Sequence, residues 1–303
     1  MSEESREPRS GTVALVGRPN AGKSTLMNLL LGEKVAIVSD KPQTTRHRLV
    51  GILTEPRGQI VFHDTPGVHR PLHHLNRQMV DHAVEALDDA DVVCLLVDAS
   101  TRFGKGDRYM LDLLDRSASP KLLLLNKIDL VKKERLLPEM ERYAATGPFE
   151  EIVPISALSG DGKELLLDLL FARLPEGPPL YDPELLTIHP ERFLAAERIR
   201  EKVLAATRDE LPYSTAVVLE RWEEEEGLVT IYASILVDKE GQKGIVIGRG
   251  GQMIKEIGTA ARKDLEDFLG TKVYLDLNVR HQPGWREDHR VLTELDRDLY
   301  GRS

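Results

Sequence analysis

Apolar positions along this chain follow two rhythms, and the change from one to the other divides it. Over residues 12–174, short runs rich in Val, Ile and Leu alternate with stretches of helical spacing, the mark of a parallel sheet covered by helices. The runs fall at residues 12–16, 59–63, 91–97, 121–125 and 151–155. Residues 92–97 are apolar without interruption, as a strand buried on both faces requires. From residue 190 the rhythm changes. Phe193, Ala196, Ile199, Val203 and Ala206 recur at helical spacing, and residues 215–222 and 229–237 read as a hairpin. Its buried face carries Val229, Ile231, Ala233, Ile235 and Val237, and Glu223-Glu224-Glu225-Glu226-Gly227 is its expected turn. A glycine loop over residues 244–255 then leads into a helix that buries Ile254, Ile257, Ala261, Leu265 and Phe268. Val273, Leu275, Leu277 and Val279 alternate as a third strand.

Between these halves, residues 174–186 hold four prolines and a glycine, a linker of limited flexibility. The expected organisation is a polar tail at 1–10, an α/β domain at 11–174, a linker at 175–189, an α+β domain at 190–281 and a tail at 282–303. That last tail carries a short amphipathic helix with Val291, Leu292, Leu295 and Leu299. It either packs on the domain or touches RNA, and packing is expected.

Composition narrows the function classes. At 303 residues, 41% hydrophobic and 30% charged, the chain has length for two globular cores. No apolar run reaches membrane-spanning length and the start is polar, so a cytoplasmic location is expected. One cysteine, Cys94, sits in the third strand, which excludes a disulfide or a cysteine-rich zinc site. A net charge of −9 argues against a protein that coats nucleic acid indiscriminately.

Five motifs carry the candidate chemistry, and all but one follow a strand, where open α/β sheets bind ligands. Gly17-Arg18-Pro19-Asn20-Ala21-Gly22-Lys23-Ser24 fits GxxxxGK[ST] and continues through Thr25 into a helix. Its backbone N–H groups suit phosphates, Lys23 the β/γ charge and Ser24 a Mg²⁺ ion. Thr44-Thr45 lies in the polar stretch 39–48, a loop suited to closing over a γ-phosphate. One of the two threonines completes the Mg²⁺ shell; Thr45 is the choice, and spacing does not decide. Asp64-Thr65-Pro66-Gly67 supplies a carboxylate that holds the metal through water and a Gly67 N–H for the γ-phosphate. Asn126-Lys127-Ile128-Asp129 selects guanine, because a carboxylate accepts hydrogen bonds from N1–H and the 2-amino group, which adenine lacks. Such a site rejects the wrong base by roughly 10⁴-fold. Ser156-Ala157-Leu158 completes the set. Val68 occupies the position where Ras-type enzymes place a water-orienting glutamine. Slow unaided hydrolysis is therefore expected, assisted either by a monovalent cation near Asn20 or by a partner acting in trans.

A second motif, Gly248-Arg249-Gly250-Gly251, opens a helix, where small residues let a phosphate backbone approach. With two strands before it and a helix and strand after it, this matches a type II KH module, which clamps about four nucleotides of single-stranded RNA. Lys239, Lys243, Arg249, Lys255, Arg262 and Lys263 outnumber Glu240 and Glu256 in the same window, a basic patch in an acidic chain.

A G domain with Pro-Asn in its phosphate loop, Gln-Thr-Thr-Arg and Asp-Thr-Pro-Gly, followed by a KH domain, resembles the Era family of bacterial GTPases. The resemblance spans residues 11–300. It implies a P-loop NTPase G domain, a mostly parallel sheet with helices on both faces, followed by an α+β type II KH domain. It also implies GTP with Mg²⁺, K⁺ at Asn20 as in some relatives, and a monomer. The implied partners are the 3′ end of 16S rRNA and the 30S subunit, with GTP state coupled to RNA binding and peripheral contact with the inner membrane. Nucleotide contacts then fall on residues 17–25, Asp64 to Gly67, Asn126, Lys127, Asp129 and Ser156 to Leu158, and RNA contacts on Gly248, Arg249, Gly250, Gly251 and Lys255. The alternatives are a GTP-gated RNA tether with negligible turnover and a membrane-associated cell-cycle regulator.

Overall fold

The apolar runs become neighbouring strands. The computed structural model describes residues 7–41, 43–67, 74–208 and 211–299, so Val68 lies outside the described residues. Two compact units emerge. The first contains, in order, β1 (Arg9–Gly17), α1 (Lys23–Leu31), β2 (Leu49–Glu55), β3 (Gly58–Asp64), α2 (His74–Asp88), β4 (Val92–Asp98), α3 (Lys105–Leu114), β5 (Lys121–Asn126), α4 (Leu136–Thr146), β6 (Glu151–Pro154) and α5 (Lys163–Arg173). Its sheet runs β2-β3-β1-β4-β5-β6, parallel throughout except that β2 is antiparallel to β3. One face of the sheet, with Ala14, Val16, Val93, Leu95, Leu123 and Leu125, packs on Ala83 and Leu87 of α2 and on Met110, Leu113 and Leu114 of α3. The intervening residues Leu15, Cys94, Leu96 and Leu124 are equally buried, as are Leu26 and Leu30 of α1 and Leu166 and Leu170 of α5. Burial pushes the Cys94 thiol up to about 12, so it is inert packing.

Strand β2 has no counterpart in the runs read from sequence. It holds the edge of the sheet, with Val50, Ile52 and Val61 forming a small cluster. The proline-rich linker lies along that edge. Ile52 N–H donates to the Leu186 carbonyl at 2.8 Å, and the Thr187 hydroxyl donates to the Val50 carbonyl at 2.6 Å. Fully buried Gln59 in β3 clamps the same segment, accepting from Leu180 and Tyr181 N–H at 2.8 and 2.9 Å and donating to the Tyr181 carbonyl at 2.9 Å.

The second unit is formed, among the described residues, by 37–41, 43–44, 74–75, 189–208 and 211–299. It contains α6 (Glu191–Ala206), α7 (Leu211–Ser214), β7 (Thr215–Glu225), β8 (Leu228–Val237), α8 (Glu240–Ile247), α9 (Gln252–Leu269), β9 (Lys272–His281) and α10 (His289–Leu299). The sheet order is β7-β8-β9, antiparallel then parallel. Of the acidic run expected as a turn, Glu223, Glu224 and Glu225 are strand, and only Glu226 and Gly227 turn the chain. β7 and β8 pair as far as Glu225 and Leu228, and Gly227 at φ 75° makes the reversal.

Helix α6 is buried well beyond its apolar stripe. Glu197, Arg198 and Arg200 are also buried. Arg200 grips Glu197 through two bonds of 2.7 Å and donates to the Thr44 carbonyl, while Glu201 accepts the Val38 N–H at 3.0 Å. Arg198 donates to Asp264 at 2.6 Å and stacks 4.2 Å over the Phe268 ring. The C-terminal segment packs: Trp285 is fully buried with its indole N–H on the Ser214 carbonyl at 3.0 Å, and Val291 and Leu292 are buried after it.

Candidate functional site

Strand β1 delivers the phosphate loop at the carboxyl edge of the first sheet. Gly17 passes so close to β4 that a Cβ there would lie 2.5 Å from the Leu96 carbonyl oxygen, and Gly22, at φ 98°, would drive one into the Asn126 side chain. Asn20 is left-handed at φ 63°. The loop is closed by Ala21 N–H on the Arg18 carbonyl at 3.2 Å, and Asn126 Nδ2 donates to the Ala21 carbonyl at 2.7 Å. Helix α1 starts directly after Gly22 with Lys23, Ser24 and Thr25 in its first turn, so its N-terminal dipole faces the loop.

Lys23 is buried, with Nζ 3.4 Å from the Gly17 carbonyl and 3.3 Å from that of Arg18. Burial pulls its ammonium below the usual lysine range, against the opposing pull of Asp64. A cation held in a low-dielectric loop of N–H groups is suited to phosphate oxygens.

Three oxygen donors converge beside it. Ser24 Oγ donates to Asp64 Oδ2 at 2.5 Å, the Ser24 and Thr45 hydroxyls are 2.9 Å apart, and Thr45 Oγ1 donates to Asp64 Oδ2 at 3.4 Å. Asp64 is fully buried, Oδ1 lacks a hydrogen-bond partner, and burial raises its carboxyl to about 6. Two hydroxyls and one carboxylate fit Mg²⁺, a hard ion that keeps several waters, and the unpartnered Oδ1 is placed to accept from such a water. Thr44 is turned away, its hydroxyl donating to the Lys41 carbonyl at 2.6 Å. Thr65 pins the next motif through its hydroxyl on the Leu15 carbonyl at 2.9 Å. After Pro66, Gly67 lies against Pro19, where a Cβ would come 2.7 Å from Pro19 Cα.

The residues of the fourth and fifth motifs gather where β5 and β6 end. Asn126 Oδ1 accepts Ala157 N–H at 2.9 Å, joining two motifs to the phosphate loop. Ser156 Oγ donates to Asp129 Oδ1 at 2.6 Å and accepts Ser159 N–H at 3.1 Å. Lys127 is left-handed at φ 65°, and Leu158 is 82% exposed, an apolar side chain available to cover a planar ring.

In the second unit, α8 ends at Gly248, whose Cβ would meet Met253 Cβ at 2.7 Å. Gly250 and Gly251 have φ of 60° and 78°, with open space where a Cβ would stand. The turn therefore offers bare backbone at the start of α9. Arg249 and Lys255 are exposed and, among the described residues, have no carboxylate partner.

Two acids near the nucleotide motifs were given no role from sequence. Asp107 of α3, buried, accepts from Arg18 at 3.1 Å and from Gly104 N–H at 2.8 Å, and so holds the phosphate loop's first side chain. Asp98 ends β4 and reaches Lys127. Its place at the end of an apolar run, like that of Asp64, was the signal for it.

Comparison with known proteins decides the family. The chain is 51% identical over 288 residues to GTPase Era of Geotalea uraniireducens, covering 95% of this chain and 97% of the relative. The chain belongs to the Era family of GTPases. Era of Geobacter metallireducens is 50% identical over 289 residues, covering 95% of this chain and 97% of that one. The profile of a family described as 50S ribosome-binding GTPase matches residues 12–127, and that of the KH domain matches residues 210–286. Among solved structures, an Era in complex with MgGDPNP and nucleotides 1506–1542 of 16S ribosomal RNA has TM-score 0.92 at 39% identity, covering 95% of this chain and 98% of that one. An Aquifex aeolicus Era variant bound to GDP·AlF4⁻ gives 0.91 at 38%, with the same coverage. As an Era-family member the chain is a GTPase that uses GTP and Mg²⁺, built as a G domain followed by a KH domain.

Proposed function

We propose that this GTPase binds the 3′ end of 16S rRNA through the turn from Gly248 to Gly251 and assists assembly of the 30S subunit, with GTP state controlling its grip on RNA. The supporting observation is the likeness, over 95% of the chain, to an Era solved with both MgGDPNP and that RNA. In this reading Lys23 neutralises β/γ charge, Ser24 and Thr45 ligate Mg²⁺ with Asp64 behind a water, and Gly67 N–H meets the γ-phosphate. Asn126, Lys127, Asp129 and the segment Ser156-Ala157-Leu158 take the base. Arg249 and Lys255 supply charge to the RNA backbone, which the exposed glycines let approach. With valine rather than glutamine at position 68, turnover is slow until assisted by K⁺ at Asn20 or by a partner. Stimulation by KCl over NaCl identifies the first, stimulation by 30S subunits the second. The protein works as a cytoplasmic monomer with at most peripheral membrane contact; among the described residues no helix is long and apolar enough to cross a membrane.

The test is binding of a short RNA copying the 16S 3′ end to protein loaded with a non-hydrolysable GTP analogue or with GDP, at several salt concentrations. Tight, salt-sensitive binding with the analogue and weak binding with GDP is the expected outcome. Equal affinity in both states refutes nucleotide control, and no binding in either refutes the RNA assignment.

A further inference from the structure

The end of β4 carries a carboxylate that none of the five motifs contains. Asp98 is in register with Asn126 at the end of β5, and Ala99 N–H donates to the Asn126 carbonyl at 2.9 Å. Both of its oxygens are engaged. Oδ1 accepts Ser100 N–H at 2.8 Å and the Ser100 hydroxyl at 2.6 Å, and Oδ2 accepts Lys127 Nζ at 2.7 Å. The side chains are 17% and 29% exposed. Burial pushes the Asp98 carboxyl up, but the bonds from Lys127 and Ser100 outweigh it and hold it below the usual aspartate range.

Lys127 is thereby fixed at both ends, at its backbone by the left-handed turn before Asp129 and at its ammonium by Asp98. The aliphatic stem between has a set direction, two residues from the carboxylate that reads guanine. A free lysine would surrender its rotamer freedom when nucleotide arrives, whereas one ordered beforehand does not. From this arrangement we infer that Asp98 is a positioning residue for the guanine nucleotide, acting by pre-ordering Lys127. It makes no contact with the base's donors, so it sets affinity for purine nucleotide without setting which purine is chosen.

The inference rests on Lys127 and Asp129 being base-reading residues, and the experiment separates the two claims. Dissociation constants of a fluorescent GDP and of IDP, which lacks the 2-amino group, are measured on the full chain for Asp98→Asn, Lys127→Met, the double variant, Ser100→Ala and Asp129→Asn. Asp98→Asn is expected to weaken GDP about tenfold, equivalent to about 1.4 kcal/mol, with the GDP/IDP ratio unchanged. In the Lys127→Met background the same substitution is expected to cost less than about twofold, because the partner it orders is gone. Ser100→Ala, which removes a turn bond and leaves the Lys127 pair, is expected to bind GDP normally. An equal loss from Asp98→Asn in both backgrounds, or an equal loss in Ser100→Ala, makes Asp98 a turn cap and overturns the inference. Unchanged GDP affinity in Lys127→Met overturns it as well, while a shift of base preference in Asp129→Asn independently upholds the base-reading assignment.

Discussion

Burial of the Asp64 carboxylate costs the fold stability while no ion is bound, and the cost can be measured. Its carboxyl lies at about 6 in the folded protein against 3.8 for an ordinary aspartate, with burial as the main cause. Between those two values the folded state binds a proton that the unfolded state has lost, so stability falls as pH rises through the window and the penalty is complete above it. A rise from 3.8 to about 6 corresponds to about 3 kcal/mol at roughly 1.4 kcal/mol per unit. Asp64→Asn keeps an oxygen to accept from Ser24 and Thr45 and cannot ionise. In EDTA without nucleotide at pH 7.5 it should therefore stabilise the first unit by about 3 kcal/mol, roughly 6–12 °C in Tm for a unit of this size. The gain should vanish near pH 4. With Mg²⁺ and GTP present the order should reverse, because the ion rewards the carboxylate. The assay is denaturation followed by far-UV circular dichroism. Trp222 and Trp285 both lie in the second unit, so their fluorescence reports that unit separately. A pH-independent gain, or none at pH 7.5, refutes the argument that burial of this carboxylate sets the stability of the site.

Further outcomes follow from the same geometry. Asp129→Asn should move base preference from guanine toward xanthine, read by competition with xanthosine diphosphate. If RNA phosphates approach at Gly250, as proposed, Gly250→Asp, at a left-handed position with open space for a side chain, sets a carboxylate in their way, so RNA binding should be lost in a gel-shift assay while GTP turnover without RNA is retained. Trp285→Ala removes a fully buried ring and its bond to Ser214. It should cost the second unit about 3–5 kcal/mol, seen as a lower denaturant midpoint in Trp222 fluorescence with nucleotide affinity unchanged.

The parallel strands were legible because each is an apolar run ending in a polar motif, and the sheet's carboxyl edge gathers those motifs into one site. Strand β2 was not, since an edge strand partnered on one side carries a weaker apolar signature. Helix α8 has no counterpart among the elements expected from sequence, and its last turn falls inside the expected glycine loop. It is short and holds Gly241 and Gly244, poor helix formers, and it depends on buried Gln242, which accepts from Asp238 and Lys239 N–H and donates to Ser214. The buried charges of α6 were also hidden. Charged residues are normally taken as a solvated face, and only the fold shows Arg198 and Arg200 meeting Asp264 and Glu197. In the site, two adjacent threonines point in different directions, Thr45 to Ser24 and Asp64 and Thr44 to the Lys41 carbonyl, and sequence holds no record of which goes where.

The hydrogen bonds from Ile52 and Thr187 that seal strand β2 with the linker impose an order in time on synthesis. Some 130 residues separate Glu55 from Leu186, and a ribosome adding about 5–20 residues per second needs roughly 7–26 s to make them. For that interval the nascent sheet has an open edge of the kind that recruits other strands. The linker is thus the last piece of the domain it follows, and a fragment ending before it should emerge with that edge uncovered.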